Sequence, residues 1–223
     1  MGLTLRAAVF ASGRGSNFES LARHAGEGWE VVLLVTDRDD VGAVERARVL
    51  GVPHRAVPIP DRSPDEIAAD MLALLREAEI DLILLAGYLR LIPASVVEAF
   101  PGRILNVHPA LLPGFGGKGM FGLNVHAAVL AAGVRITGVT VHRVGLSYDD
   151  GPILAQWPVP VHPDDTPERL AERVSDVEHR LFPAVVDRVA LAVHGGIPTA
   201  APIPGGDGSH IFTLTGTPPK DFP

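Results

Sequence analysis

The sequence of 223 residues contains no cysteine, which excludes disulfides, thiolate metal sites and a cysteine nucleophile. It has no run of Lys or Arg of the kind that marks a nucleic-acid surface, and its formal charge is −7. A large polyanion is therefore not the expected partner, although a small phosphate can still be held locally. Long apolar runs are missing too. The opening "MGLTLRAAVFASG" has no basic region followed by a stretch long enough for a signal peptide or a membrane span. Its sixth residue, Arg6, is not the Ser or Thr of a myristoylation start. A cytoplasmic protein with no nucleic-acid or membrane partner is the expectation. No G-x-S-x-G elbow is present, which removes the commonest serine hydrolase of open α/β sheets. No H-E-x-x-H or similarly short spacing joins His108, His126 and His142, so no metal site is expected.

What is present alternates between short apolar runs and amphipathic stretches. Residues 5–11, 29–37, 53–60, 81–88 and 103–108 read as strands, and most are apolar without interruption, as in strands buried on both faces. Between them lie helical patterns. One carries Phe18, Leu21 and Ala22. A second runs over 44–50 and is stopped by Gly51. A third opens with Ser63 as cap, Pro64 at its first position and Glu66 completing a capping box. A short helix falls over 93–100. This order predicts a Rossmann-like, mostly parallel sheet with helices on both faces. Residues 134–144 and 151–161 then read as an antiparallel extension of that sheet. A long helix from Thr166-Pro167 follows, with Leu170, Val174, Val177, Leu181 and Val185 inward and Pro183 predicted to kink it. The expectation is one domain over 1–195 and a loosely ordered tail over 196–223.

Two places carry candidate chemistry. The turn "SGRGSN" (12–17) follows the first strand and opens a helix, where backbone N–H groups and the helix dipole favour an anion. Gly13 and Gly15 let the chain approach closely, and Ser16 and Asn17 add donors. The turn holds the first part of the dinucleotide fingerprint G-x-G-x-x-G, with Asp37 as the ribose-binding acid, but Phe18 replaces the third glycine. A single phosphate fits it better than a pyrophosphate. A nicotinamide-dependent oxidoreductase and a non-catalytic phosphosugar-binding protein remain the alternatives from other classes.

The second place is "RILNVHPALLPG" (103–114). Asn106 and His108 are spaced by two and share one face at the carboxyl end of a strand, where open α/β sheets bind ligands. An imidazole there can give or take a proton, and an amide can donate to a developing oxyanion. "Asp149-Asp150-Gly151" lies in the loop between the two late strands and can bring a carboxylate beside His108. "LAGYLRLIP" (85–93) ends another strand at the same edge, with Leu89, Leu91 and Ile92 as candidate walls of an apolar pocket. Glu178 on the long helix reads as a polar edge beside the apolar stripe, with reach to a substrate amine.

The segments "ASGRGSN", "LAGYLRLIP", "ILNVHPALLPGFGGKGMFG", "TGVTVHRV", "DDGPILAQ" and "VEHRLFP" together resemble the phosphoribosylglycinamide formyltransferases of the folate-dependent formyltransferase superfamily. The resemblance runs in family order from residue 5 to about 190. It implies transfer of a formyl group from 10-formyltetrahydrofolate, as co-substrate, to the amine of glycinamide ribonucleotide, without a metal. It implies a catalytic trio of Asn106, His108 and Asp149, and a ribonucleotide site of Gly15, Ser16, Asn17 and Glu178. It also implies a folate site of Leu89, Arg90, Leu91, Ile92 and Asn106, with Arg62 standing in for an arginine that members carry near the helix start at Ser63. The partners implied are small molecules, and a homodimer is compatible with them. Within the superfamily, a methionyl-tRNA formyltransferase is expected to add a C-terminal domain and a basic face, and a formyltetrahydrofolate deformylase an N-terminal regulatory domain. The glycine-rich segment 114–122 is expected to move over the ligands.

Overall fold

A computed structural model describes residues 4–24 and 28–196. The tail expected after residue 195 lies, from 197 onward, outside the described residues. A seven-stranded sheet runs through the molecule in the order β3-β2-β1-β4-β5-β6-β7. Strands β1 (Leu5–Ala11), β2 (Trp29–Thr36), β3 (His54–Ala56), β4 (Leu82–Leu85) and β5 (Ile104–His108) are parallel to one another. Strands β6 (Ile136–Arg143) and β7 (Ile153–Pro160) are antiparallel additions.

Both faces of the sheet are covered, which is why its central strands read as unbroken apolar runs. Alternate residues of β1 show the division. Ala7, Val9 and Ala11 pack in one apolar cluster with Phe18 of α1 (Ser16–Arg23), Val44 of α2 (Gly42–Leu50), Val129 of α5 (Leu123–Ala131) and Phe182 of α6 (Pro167–His194). Ala8 and Phe10 pack in the other with Ile67 and Met71 of α3 (Pro64–Glu77) and Val96 of α4 (Ala94–Ala99).

The local chemistry expected at α3 is present: the Ser63 hydroxyl accepts from the Glu66 N–H, and the Glu66 carboxylate accepts from the Ser63 N–H. Two elements differ from expectation. The third strand holds only His54–Ala56 of the expected 53–60, since prolines at 53, 58 and 60 remove the donors a longer ladder needs. Helix α5 was not legible as an element, because it follows a glycine-rich loop and has no side-chain cap. Helix α6 is the expected long helix, capped by Thr166, with Pro183 buried inside it and its end at His194.

Candidate active site

The strand order reverses direction between β1 and β4, and the carboxyl ends of these strands and of β5 form one rim, the place where such sheets leave a crevice. At the end of β1, Gly15 takes φ +79° as the residue preceding α1. A Cβ there would stand 2.6 Å from the Ala43 Cα of α2, so glycine is required both for conformation and for close approach. The first N–H groups of α1 have no intrahelical acceptor, and these belong to Ser16 and Asn17. Asn17 Nδ2 donates to Glu178 Oε2 at 3.0 Å. Its Oδ1 is buried with no partner among the described residues.

Glu178 corrects an expectation. It is buried, not a polar edge of the long helix. Burial raises its carboxyl to about 7, against the opposing influence of the Asn17 amide and of His108. Asp37, the acid that a dinucleotide site would present to a ribose, is also buried, and its Oδ2 accepts from Arg90 Nε at 2.8 Å. Phe18, in place of the third glycine, is fully enclosed in the core. The turn therefore lacks the presented acid that a dinucleotide fingerprint uses.

At the end of β5, Asn106 lies directly opposite His142, and His108 opposite Thr140. The side chains converge with Asp149 from the loop between β6 and β7. Asp149 Oδ1 is 3.3 Å from His108 Nδ1 and 3.4 Å from Asn106 Nδ2. Its Oδ2 accepts from the Gly117 N–H at 2.7 Å. Burial on its own would raise the Asp149 carboxyl, but the His108 hydrogen bond and charge, the Gly117 N–H and His142 together hold it below the usual value. Asp150 is exposed, so Asp149 is the acid of the pair that faces the imidazole. The turn is shaped for this: Asp149 has φ +53°, and a Cβ on Gly151 would collide with the Arg143 carbonyl oxygen.

His108 is buried, and its Nε2 lies 2.9 Å from the Phe115 carbonyl oxygen. With a carboxylate at Nδ1 and a carbonyl at Nε2, satisfying both acceptors takes a hydrogen on each ring nitrogen. His142 is different. Its Nδ1 donates to the Arg143 carbonyl at 2.8 Å, which leaves Nε2 as an acceptor for Asn106 Nδ2 at 2.9 Å. Burial lowers its basicity, consistent with that neutral form. Both hydrogens of the Asn106 amide are thus engaged, and donation to a ligand means exchanging the longer one, to Asp149. Sequence reasoning considered His142 only as a metal ligand and missed this role; its place opposite Asn106 depends on strand register.

Thr140 was missed as well. Its Oγ1 donates to the Ala110 carbonyl at 2.7 Å and accepts from the Leu112 N–H at 3.0 Å. It thereby ties the Pro109–Pro113 loop to β6. Among the described residues no group of His, Asp or Glu is arranged to hold a metal ion.

The expected folate segment is divided. Leu89 is half-buried, Leu91 is 45% exposed, and Ile92 is buried in the core. Arg62 donates to the Pro58 and Glu66 carbonyls and to Asp70 Oδ2 at 2.6 Å, so its guanidinium is already engaged.

The sequence profile of the formyl transferase family matches residues 5–186. The chain belongs to the formyl transferase family. Among relatives of this formyl transferase, the chloroplastic phosphoribosylglycinamide formyltransferase of Arabidopsis thaliana is 49% identical over 187 residues, covering 82% of this chain and 64% of that protein's length. The phosphoribosylglycinamide formyltransferase of Bacillus subtilis is 38% identical over 82% of this chain and 93% of its own. A crystal structure of the enzyme of that name from Bacillus halodurans superposes with a TM-score of 0.76 at 38% identity, covering 82% of this chain and 94% of that one. Among the described residues of this formyl transferase, no helix is long and apolar enough to cross a membrane.

Proposed function

We propose that this chain is a phosphoribosylglycinamide formyltransferase. It moves the formyl group of 10-formyltetrahydrofolate to the amine of N1-(5-phospho-D-ribosyl)glycinamide, a step of de novo purine biosynthesis, leaving tetrahydrofolate. The observation that carries this is the convergence of Asn106, His108 and Asp149 at the rim of the sheet, together with the anion-favouring turn at Gly15–Asn17 and the names of the relatives.

The residues divide the work. Backbone N–H groups of the turn, with Ser16, take the ribonucleotide phosphate. Asn17 Oδ1, buried without a donor, and Glu178 are acceptors suited to the hydrogens of the glycinamide amine. Leu89, Leu91 and Arg90 receive the co-substrate. The amine forms the new C–N bond to the formyl carbon, and the carbonyl oxygen gains charge. His108 Nε2, released from the Phe115 carbonyl, donates to that oxygen, and Asn106 adds a second hydrogen. Asp149 orients the imidazole. The proton lost by the amine passes to the leaving folate nitrogen, so the step balances without a metal or a covalent enzyme intermediate. Movement of 114–122 is part of the proposal, since Phe115 must yield His108. The protein acts as one domain over 1–195, is cytoplasmic, takes small molecules only, and is compatible with a homodimer.

The test is a formyl-transfer assay with both substrates. His108→Ala and Asp149→Asn are each expected to lower kcat by about 10²–10³-fold. Wild-type turnover in both variants would remove the trio from the mechanism.

A further inference from the structure

Three side chains stand in one row across the sheet. His108 of β5 is opposite Thr140 of β6, and Thr140 is opposite Gln156 of β7. Directly paired residues share a face, and the loop that leaves β5 after His108 is caught there by the two outer members of the row. Thr140 Oγ1 donates to the Ala110 carbonyl and accepts from the Leu112 N–H. Gln156 Nε2 donates to the Leu112 carbonyl at 2.8 Å and to Thr140 Oγ1 at 3.1 Å. A hydroxyl has one hydrogen and two lone pairs, so that of Thr140 is fully used, and both backbone polar groups of Leu112 are held. Gln156 itself is half-buried on the outermost strand, and the proposed chemistry gives it no part.

Leu112 carries this hold to the catalytic groups. A Cβ on Gly116 would stand 2.5 Å from Leu112 Cδ2 and 3.3 Å from Asp149 Cβ, so the Leu112 side chain packs against the segment 115–117 beside Asp149. That segment supplies the Phe115 carbonyl to His108 Nε2 and the Gly117 N–H to Asp149 Oδ2. The Asp149 carboxyl is faced by His108 from β5 and His142 from β6, and Asp150 follows it in its own loop. Burial raises it, but the His108 hydrogen bond and charge, the Gly117 N–H and His142 outweigh burial.

We propose that Gln156 is a positioning residue for the reaction: with Thr140 it fixes Leu112, and through Leu112 it sets the Gly117 N–H on the carboxylate that orients His108. A side chain on the edge strand thus governs the geometry of the trio from behind the loop. The inference rests on the proposed formyl transfer and adds to it a residue that acts through others.

Formyl-transfer kinetics and amide hydrogen exchange test it on Gln156→Ala and on Gln156→Glu, which keeps the shape but, when ionised, cannot donate to the Leu112 carbonyl. Each is expected to lower kcat about 10- to 100-fold, the cost of a small misplacement at a reacting centre. In the same variants KM for both substrates stays within about two-fold of wild type. The acid limb of the kcat profile moves to higher pH, because Asp149 loses a donor that holds its carboxyl down. Exchange at the Gly117 amide rises about ten-fold, as for the loss of one hydrogen bond, while amides of β1 and β4 keep their protection. Thr140→Val removes the same hold and shows the same changes, and Thr140→Ser, which keeps the hydroxyl, restores them. If Thr140→Val fails to fold, the two Gln156 variants decide alone. A merely structural role would lower the unfolding midpoint and leave the pH profile and Gly117 exchange as in wild type. That result, or wild-type kcat in both Gln156 variants, overturns the proposal. Absence of formyl transfer by the wild-type protein would instead overturn the function on which it rests, and Gly117 exchange would still decide whether Gln156 places this segment.

Discussion

A buried imidazole needs a partner at each ring nitrogen, and His108 has two, the Asp149 carboxylate at Nδ1 and the Phe115 carbonyl at Nε2. The residue-scale lesson lies in how these groups are oriented. His142 donates to a backbone carbonyl, so its other nitrogen fixes the Asn106 amide. Glu178 gives a stability prediction at the same scale. Its carboxyl is raised from 4.5 to about 7 by burial, so folding favours the neutral form. The resulting stabilisation is complete below 4.5 and is lost as pH rises through about 7. Glu178→Gln cannot ionise. It is therefore expected to match wild type at low pH and to exceed it by about 3 kcal/mol near pH 8. Urea denaturation at the two pH values checks this; a constant difference would mean that the carboxyl titrates normally.

Elements matter here mainly through their ends. Helix α1 starts at a left-handed glycine pressed against α2, and β5 ends in the trio. Gly15→Ala is expected to destabilise the protein by at least about 1 kcal/mol, because both its φ and the Ala43 contact oppose a side chain. It should also weaken affinity for inorganic phosphate, measured by calorimetry. Retained affinity would separate the turn from the anion site. The elements expected from sequence are largely those found, since strands buried on both faces and a capping box are local patterns. Helix α5 escaped notice because glycines before it gave no start signal, and Glu178 was misplaced because a helical stripe does not reveal what packs over it. Its burial is set by α1, through Asn17.

For the molecule as a whole, α6 joins the parts. It packs in one apolar cluster with β6, β7 and α1, and its Phe182 is fully enclosed. Phe182→Ala is expected to cost about 3–5 kcal/mol, lowering the unfolding midpoint in a single transition. Loss of one spectroscopic probe before another would show that the antiparallel extension unfolds separately.

By itself the sequence determined the alternation of strands and helices, the glycine turn, the strand-end Asn106 and His108, and the family. These are written in local patterns, in which side-chain period and turn residues follow backbone geometry. Only the tertiary structure decided which groups meet. It brought Asp149, the acid that the family resemblance implies, beside His108, and it set His142 against Asn106, Asp37 against Arg90, and Glu178 in the interior. Such contacts join residues far apart in the chain, and they depend on strand register and on which helix covers which face, neither of which a linear pattern specifies.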